Sequence, residues 1–327
     1  MTTTARPEAS ASGLLLPGLD GSNPLAFLAA LGVLRTLAQR YHDDTVRMCW
    51  TPRGAWHPAF HCSACPTEDQ LIEAVLQYNE SLRSARADGA SAAFDFAGLG
   101  DIIGVAPDTF ADFTDRALGY TEGNLPLPVR REPLDFIAAY GTTFCLTEKG
   151  KVEPTLFSFA NGQSGQCLLR SFRTLRDGLD HGTLERSLLH PWTYSDPRPT
   201  LRWDPADCRP YAHLATDPGN SRTTPVRTMQ GASYLAFLAL AMLPSMPAAG
   251  GLRTTGFSRR HRAWSWTWPI WTDHLNADCV RTLLALPDLQ KDPVDRLRMS
   301  HLGVVEVFRS RRFSYQNGVY FSPGTSA

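Results

Sequence analysis

The residues of this chain best suited to chemistry lie in one short stretch, TTGFSRRHRAWSWTWPIW, at positions 254–271. Four of the eight tryptophans fall in this stretch, and Trp264, Trp266 and Trp268 alternate with small polar residues. This period of two predicts a β-strand with three indoles on one face. Because a row of exposed indoles would be costly, we expect this face to pack in the core, with base stacking as the alternative.

A group of cationic residues directly precedes the tryptophans: Arg259, Arg260, His261 and Arg262. The pattern predicts two strands with these residues at the tip of the hairpin between them. Such a cluster cannot be buried without partners, so the tip must project to solvent or to a polyanion. The guanidinium group has the planar fork that suits phosphate and base edges. We therefore predict that the four tip residues contact nucleic acid.

Two more sets of arginines could extend such a surface. In CLLRSFRTLRDGL the apolar residues fall on one helix face, and the other face carries Arg170, Arg173 and Arg176. In FRSRRF the set is Arg309, Arg311 and Arg312. Both sets are predicted to follow a phosphate backbone, which adds affinity without sequence information. The alternative is a solvated charged face.

The closest approach to a metal motif is HPAFHCSAC, which contains His57, His61, Cys62 and Cys65. Cysteines at this spacing with nearby histidines can form a tetrahedral zinc site. However, a second pair at a suitable distance is missing, and on a strand Cys62 points away from the face that His57 and His61 share. We therefore predict a strand followed by a turn, with zinc as the alternative.

Catalytic signatures are absent from the sequence: it has no Walker A loop, dinucleotide fingerprint, HExxH or GxSxG motif. The turn GQSGQ before a helix could offer backbone N–H groups to an anion, or be a plain turn. We predict no catalytic residue, no cofactor and no metal. The competing interpretation is a nuclease that holds Mg²⁺ with dispersed carboxylates such as Asp196, Asp204 and Glu306.

The composition describes a chain of 327 residues with 43% hydrophobic residues, enough for a sizeable core. The net charge is zero, but residues 1–194 carry 16 Lys+Arg against 22 Asp+Glu, and residues 195–327 carry 16 against 10. The basic C-terminal half permits contact with nucleic acid.

Seven scattered cysteines fit a reducing compartment. Residues 1–12 do not resemble a signal peptide, and the apolar runs fall short of the roughly 20 residues that cross a bilayer. We predict a cytoplasmic protein with no membrane association.

The elements that position these residues follow from periodicity and capping signals. The opening predicts β-α-β-β-α, with Asn23 and Pro24 starting an apolar helix and Thr67 and Gln70 forming a capping box on the next. LPLPVRREPLDF predicts a proline-broken connector that no helix runs through. GASYLAFLALAMLP predicts a second apolar helix, and the C-terminal part predicts the hairpin with further helices.

The predicted fold class is α+β, with a mixed sheet and packed apolar helices. We predict a disordered leader at 1–12, an N-terminal α+β domain at 13–194 and a basic C-terminal domain at 195–327 that carries the arginine–tryptophan hairpin. The boundary is soft and falls near 191–196.

Four segments together resemble a protein family encoded with type I-G (formerly I-U) CRISPR–Cas systems: LDGSNPLAFLAALGVLRTL, DPRPTLRWDP, TTGF and WPIW. That family opens with a short strand, a Gly-x-x-x-Asn-Pro-Leu turn and an apolar helix. These correspond here to Leu14–Leu19, Gly18 or Gly21 with Asn23, Pro24 and Leu25, and Phe27–Leu37. The likeness covers about a quarter of the chain.

The resemblance implies a subunit of a crRNA-guided DNA surveillance complex, in the position of the large subunit that contacts the PAM duplex and helps to recruit the helicase–nuclease. Its implied partners are crRNA, target DNA and other CRISPR-associated subunits. In such complexes base pairing reads most of the sequence, while protein reads a short duplex motif and contacts the backbone. A third interpretation is a protein–protein adaptor whose arginines are surface charge.

Overall fold

The structure is a computed structural model that describes residues 13–41, 45–62, 65–84, 105–121, 127–159, 168–197, 199–208, 227–260, 263–315 and 318–327. The predicted leader at 1–12 and most of the glycine-rich turn at 158–166 lie outside these residues. Within them no helix has both the length and the apolar character needed to span a bilayer.

The described elements confirm the α+β class. The helices are α1 (Pro24–Tyr41), α2 (Glu68–Ser84), α3 (Pro107–Thr121), α4 (Leu127–Tyr140), α5 (Leu168–Asp177), α6 (His181–Leu188), α7 (Gln230–Ala239), α8 (Ala277–Leu284) and α9 (Arg296–Ser300). The strands are β1 (Leu14–Leu15), β2 (Arg47–Pro52), β3 (Trp56–His61), β4 (Ser245–Ala248), β5 (Gly251–Thr254), β6 (Phe257–Arg260), β7 (Ala263–Trp271), β8 (Val304–Tyr315), β9 (Gly318–Phe321) and β10 (Thr325–Ser326).

The strands form three sheets with the orders β1-β3-β2, β10-β8-β7-β6 with β9 on β8, and β4-β5. Every strand pair in the described part of the chain is antiparallel, so the expectation of a mixed sheet was wrong. For four of the pairs the physical reason is that connections of only two or three residues join β2 to β3, β4 to β5, β6 to β7 and β8 to β9. So short a connection can only bring the chain back antiparallel.

Two apolar helices, α1 and α7, form the centre of the molecule. Asn23 caps α1 as predicted, because its Oδ1 accepts hydrogen bonds from the N–H groups of Leu25 at 2.8 Å and Ala26 at 3.3 Å. The two helices approach so closely that a Cβ added to Gly32 would lie 1.9 Å from the Leu235 carbonyl oxygen. The hydrophobic core contains residues from both sides of the soft boundary near 195.

The tryptophan strand β7 packs on α1 through Phe27. The Phe27 ring lies 5.8 Å from Trp266 and 5.9 Å from Trp268 between centroids, and it stacks on Trp50 from β2 at 5.5 Å. Trp266 and Trp268 are fully buried. The prediction that the indole face belongs to the core is therefore confirmed for these two residues.

Helix α4 corrects the expectation that LPLPVRREPLDF breaks the chain, because it runs through Pro133. Pro128 lies in the first turn, where a helix needs no backbone N–H, and Pro133 removes only one backbone hydrogen bond. The following residues Phe136, Ile137, Ala139 and Tyr140 are buried. Their packing offsets the loss, as tertiary contacts often override local propensity.

The capping box of α2 is confirmed. The Thr67 N–H donates to the Gln70 side chain at 2.9 Å, and the Gln70 N–H donates to the Thr67 hydroxyl at 3.3 Å.

Three of the four segments that carry the family resemblance contact one another. The Trp268 indole Nε1 donates to the Gly21 carbonyl at 2.8 Å, and the Asn23 side chain donates to Asp204 at 3.2 Å. Asp204 also caps a short 3₁₀ helix by accepting from the Ala206 N–H at 2.9 Å. This carboxyl group is 2% exposed. Burial raises its pKa above the ordinary value, against the effect of the hydrogen bonds from Ala206 and Asn23.

Asp204→Asn is expected to stabilise the protein more at pH 8 than at pH 4. Because the folded-state pKa of Asp204 is raised, the wild type loses stability as pH rises from the unfolded pKa through the folded pKa, where the buried group must ionise. Asparagine keeps the acceptor for Ala206 and never ionises. Urea unfolding of both proteins at the two pH values tests this, with exposed Asp112→Asn as the control. An equal difference in unfolding free energy between Asp204→Asn and the wild type at both pH values would contradict the raised pKa.

Candidate nucleic-acid interface

The predicted hairpin exists, and its register brings cations to both sides of an indole. Strands β6 and β7 pair antiparallel with Arg259 opposite Trp264, and β7 pairs with β8 so that Trp264 lies opposite Arg312. Directly opposed residues have Cβ atoms about 5 Å apart on the same sheet face. We call Arg259, Trp264 and Arg312 the arginine–tryptophan row.

The row lies where the buried tryptophan face reaches the surface. Trp266 and Trp268 farther along β7 are fully buried, whereas Trp264 is half-buried and Arg259 is exposed. Arg312 is half-buried, with its guanidinium 5.2 Å from the centre of the Phe159 ring. The row therefore presents two cations and one partly accessible indole, which also packs against the core, on one face.

Arg312 is an unusual cation because its Nε atom is buried and has no hydrogen-bond partner. Burial lowers its pKa from the ordinary value, although an arginine remains charged at neutral pH. A half-buried cation with an unsatisfied donor is costly, and an anion at this point would reduce the cost. Arg312 is therefore better suited to bind a phosphate than an ordinary solvated arginine would be.

The other arginines of β8 lie on the opposite face of the sheet, because successive strand residues alternate. Arg311 is exposed there. Arg309 is 14% exposed and has a structural environment: it donates to Thr267 Oγ1 at 3.1 Å and to the Lys291 carbonyl at 2.9 Å, and it lies 3.5 Å from Asp292. The three arginines of FRSRRF therefore do not form one surface.

The arginines of α5 do not form one exposed face either. Arg170 is exposed and Arg173 is half-buried, but Arg176 is only 2% exposed and pairs with Asp177 at 3.0 Å. Arg176 lies in the last turn of α5. Its backbone carbonyl accepts a hydrogen bond from the side-chain amide of buried Asn79 in α2 at 3.0 Å. Helical spacing alone could not reveal that the Arg176 side chain is buried. Of the hairpin tip, His261, Arg262 and the side chain of Arg260 lie outside the described part of the structure.

The structure gives His57 and Cys65 of HPAFHCSAC different hydrogen-bond partners. His57 Nδ1 lies 2.9 Å from the Leu19 carbonyl, and Cys65 Sγ lies 3.6 Å from the Phe60 carbonyl. Burial raises the pKa of the Tyr41 hydroxyl, and the nearby thiols of Cys62 and Cys65 raise it further. The four residues form no metal cluster within the described ranges.

The three carboxylates of the nuclease interpretation also have separate environments. Asp196 pairs with Arg186 at 2.9 Å, Glu306 pairs with Arg296 at 2.7 Å, and Asp204 is buried beside Asn23. Among the residues that the structure describes, none of the three belongs to a group of metal-binding side chains. The fold does not bring them together.

The chain was compared with protein-family models, with curated proteins and with solved structures, and none of these comparisons found a match.

Proposed function

We propose that this protein is a non-catalytic nucleic-acid-binding subunit of a type I CRISPR–Cas surveillance complex. It helps to recognise target DNA at the PAM and along the backbone, and it helps to recruit the helicase–nuclease. Its partners are crRNA, target DNA and the other CRISPR-associated subunits, in the cytoplasm. The class of complex is proposed from the family resemblance, and the binding role from the hairpin.

The observation that carries the binding role is the arginine–tryptophan row. A partly accessible indole between two guanidinium groups combines a stacking platform with cations that follow a backbone, which is the combination used to bind single strands. Phosphate contacts also act on duplex DNA, where they set position and affinity rather than sequence. Exposed Arg311 on the other face of the same sheet can reach a second strand or a second turn.

Two further features support the proposal. The C-terminal half that contains the row carries the excess of positive charge. Three of the four segments that resemble the type I-G family contact one another, since Gly21 accepts a hydrogen bond from Trp268 and Asn23 donates one to Asp204. Trp268 lies in β7, the strand that also carries Trp264, so one of these contacts belongs to the sheet that we expect to bind.

Arg259→Ala is expected to weaken binding of labelled duplex DNA and to reduce the slope of log K against log salt by about 1, the effect of losing one phosphate contact. Fluorescence anisotropy across a salt series measures both quantities. The control is Arg83→Ala, an exposed arginine of α2 whose side chain is 48% accessible. Equal slopes for Arg259→Ala and wild type would favour the adaptor interpretation.

The indole of the row is tested with single-stranded DNA and guide RNA in the same assay. Trp264→Ala is expected to weaken binding by about 1–3 kcal/mol, the usual contribution of one stacked base, and Trp264→Phe to retain most of it. If Trp264→Ala binds as wild type does while Arg259→Ala does not, the row contacts only the backbone.

A further inference from the structure

Three metal-binding side chains from distant parts of the chain meet on the outer face of the N-terminal sheet. They are Cys49 in β2, His61 at the end of β3 and His274 just after β7, and one ligand atom of each lies within 4.8 Å of the other two. The two imidazole rings are 4.1 Å apart between centroids, with an angle of 45° between their planes. This cluster has no part in the nucleic-acid interface described above.

The backbone fixes the cluster from both sides of β2. On one side β3 pairs with β2, so that Arg47 lies opposite His61 and Cys49 opposite Ala59. On the other side the segment after β7 pairs with Met48, through hydrogen bonds of 2.8 and 3.0 Å to and from Leu275. Since Met48 and Trp50 point into the core, Cys49 points to the opposite face, where His61 and His274 flank it.

The donor atoms suit a borderline-soft divalent ion. A thiolate and two imidazoles are ligands that Zn²⁺ prefers, and three protein ligands leave one of four tetrahedral positions for water or another group. In such a site the ligand atoms are about 3.3–3.6 Å apart, as calculated from ordinary Zn–S and Zn–N distances. Side-chain rotations that move the ligand atoms by about 1 Å would bring the three atoms to that separation.

The surroundings of Cys49 and half-buried His61 also point to a missing partner. The Nδ1 atom of His61 is inaccessible to solvent and makes no hydrogen bond. Buried polar atoms are almost always hydrogen-bonded, so an exception needs a partner such as an ion. Cys49 is 6% exposed, so its thiol also lies largely out of solvent.

We propose that Cys49, His61 and His274 form a binding site for Zn²⁺ or a similar divalent transition metal, with the fourth position open to water. The site joins β2 and β3 to the segment that follows the tryptophan strand β7, so a bound ion connects the N-terminal sheet with the C-terminal one. It uses only His61 of the HPAFHCSAC segment. It does not depend on the proposed function.

The test is titration of the metal-free protein with Co²⁺, followed by competition with Zn²⁺. The wild type is expected to bind one equivalent and to show a thiolate-to-cobalt charge-transfer band that Zn²⁺ abolishes. Cys49→Ser should lose this band. His274→Ala should weaken Zn²⁺ binding on the order of 100-fold or more, since even outer-shell partners of a metal account for 10–100-fold. The His274 side chain is exposed, so this variant should fold even if Cys49→Ser does not.

Two matched variants locate the site. Cys279→Ser removes an exposed cysteine of α8 and should keep the band and the increase of Tm with Zn²⁺. The double variant Cys62→Ser/Cys65→Ser should also keep both. Absence of a stoichiometric cobalt complex in the wild type would overturn the proposal. So would a band that survives in His274→Ala at unchanged affinity, or one that is lost in the Cys62/Cys65 variant but retained in Cys49→Ser.

Discussion

Replacing Gly32 with alanine is expected to destabilise the protein by about 3 kcal/mol or more, although alanine is the better helix former by about 1 kcal/mol. The added Cβ would lie 1.9 Å from the Leu235 carbonyl oxygen and 2.6 Å from its carbon. Both atoms belong to the backbone of α7 and cannot rotate away. The two central helices would therefore have to separate, and the packing between them would be lost. Urea unfolding monitored by far-UV circular dichroism measures the effect.

Gly119 provides the control for this experiment because it is also helical, in the exposed part of α3. A Cβ added there would meet no atom within 4 Å. Gly119→Ala is expected to stabilise the protein by about 0.5–1 kcal/mol through helix propensity alone. Stabilisation by both substitutions would contradict the close approach of α1 and α7.

Trp268→Ala is expected to unfold most of the protein at room temperature. The indole is fully buried, lies 4.7 Å from Trp266 between ring centroids and donates a hydrogen bond to the Gly21 carbonyl at 2.8 Å. Removing a buried aromatic side chain costs about 3–5 kcal/mol, and leaving the carbonyl unsatisfied costs about 1–3 kcal/mol more. The sum is comparable to the whole stability of an ordinary domain, about 5–15 kcal/mol.

The comparison that makes this result informative is Trp264→Ala, on the same strand and the same face. Its indole is half-buried at the row, so the substitution should leave the fold intact while it weakens nucleic-acid binding. Thermal unfolding and near-UV circular dichroism distinguish the two variants. If Trp268→Ala melts at the same temperature as Trp264→Ala, the indole face is not the core that we describe.

Local signals in the sequence predicted the elements of the fold well. The period of two in β7 identified the buried Trp266 and Trp268, and Asn23 and the pair Thr67–Gln70 marked the start of α1 and α2. These features depend on residues within one or two turns of one another. Pro133 was the exception, because packing of the residues after it overrides a local rule.

The sites depend on pairings across long sequence distances, which one sequence does not contain. Arg259 and Arg312 flank the same indole only because β6 and β8 both pair with β7 in one particular register. Likewise, Cys49 and His274 meet because the chain after β7 pairs with β2. The arginine pattern of α5 failed at Arg176 for the same reason, since this residue is buried in a fold that brings Asn79, 97 residues away in the sequence, to its carbonyl.

The most direct test of the nucleic-acid-binding role uses the assembled complex rather than the isolated chain. The triple variant Arg259→Ala/Arg260→Ala/Arg262→Ala and the Arg83→Ala control would each be purified with the crRNA and the neighbouring subunits, and target-DNA binding measured across a salt series. The proposal predicts that both variants assemble with the stoichiometry of the wild type. Of the two assembled complexes, only the one with the triple variant should bind DNA with a slope of log K against log salt that is smaller by about 3. An assembled triple variant with wild-type affinity and slope would contradict it, and would identify the hairpin as a charged turn of an adaptor.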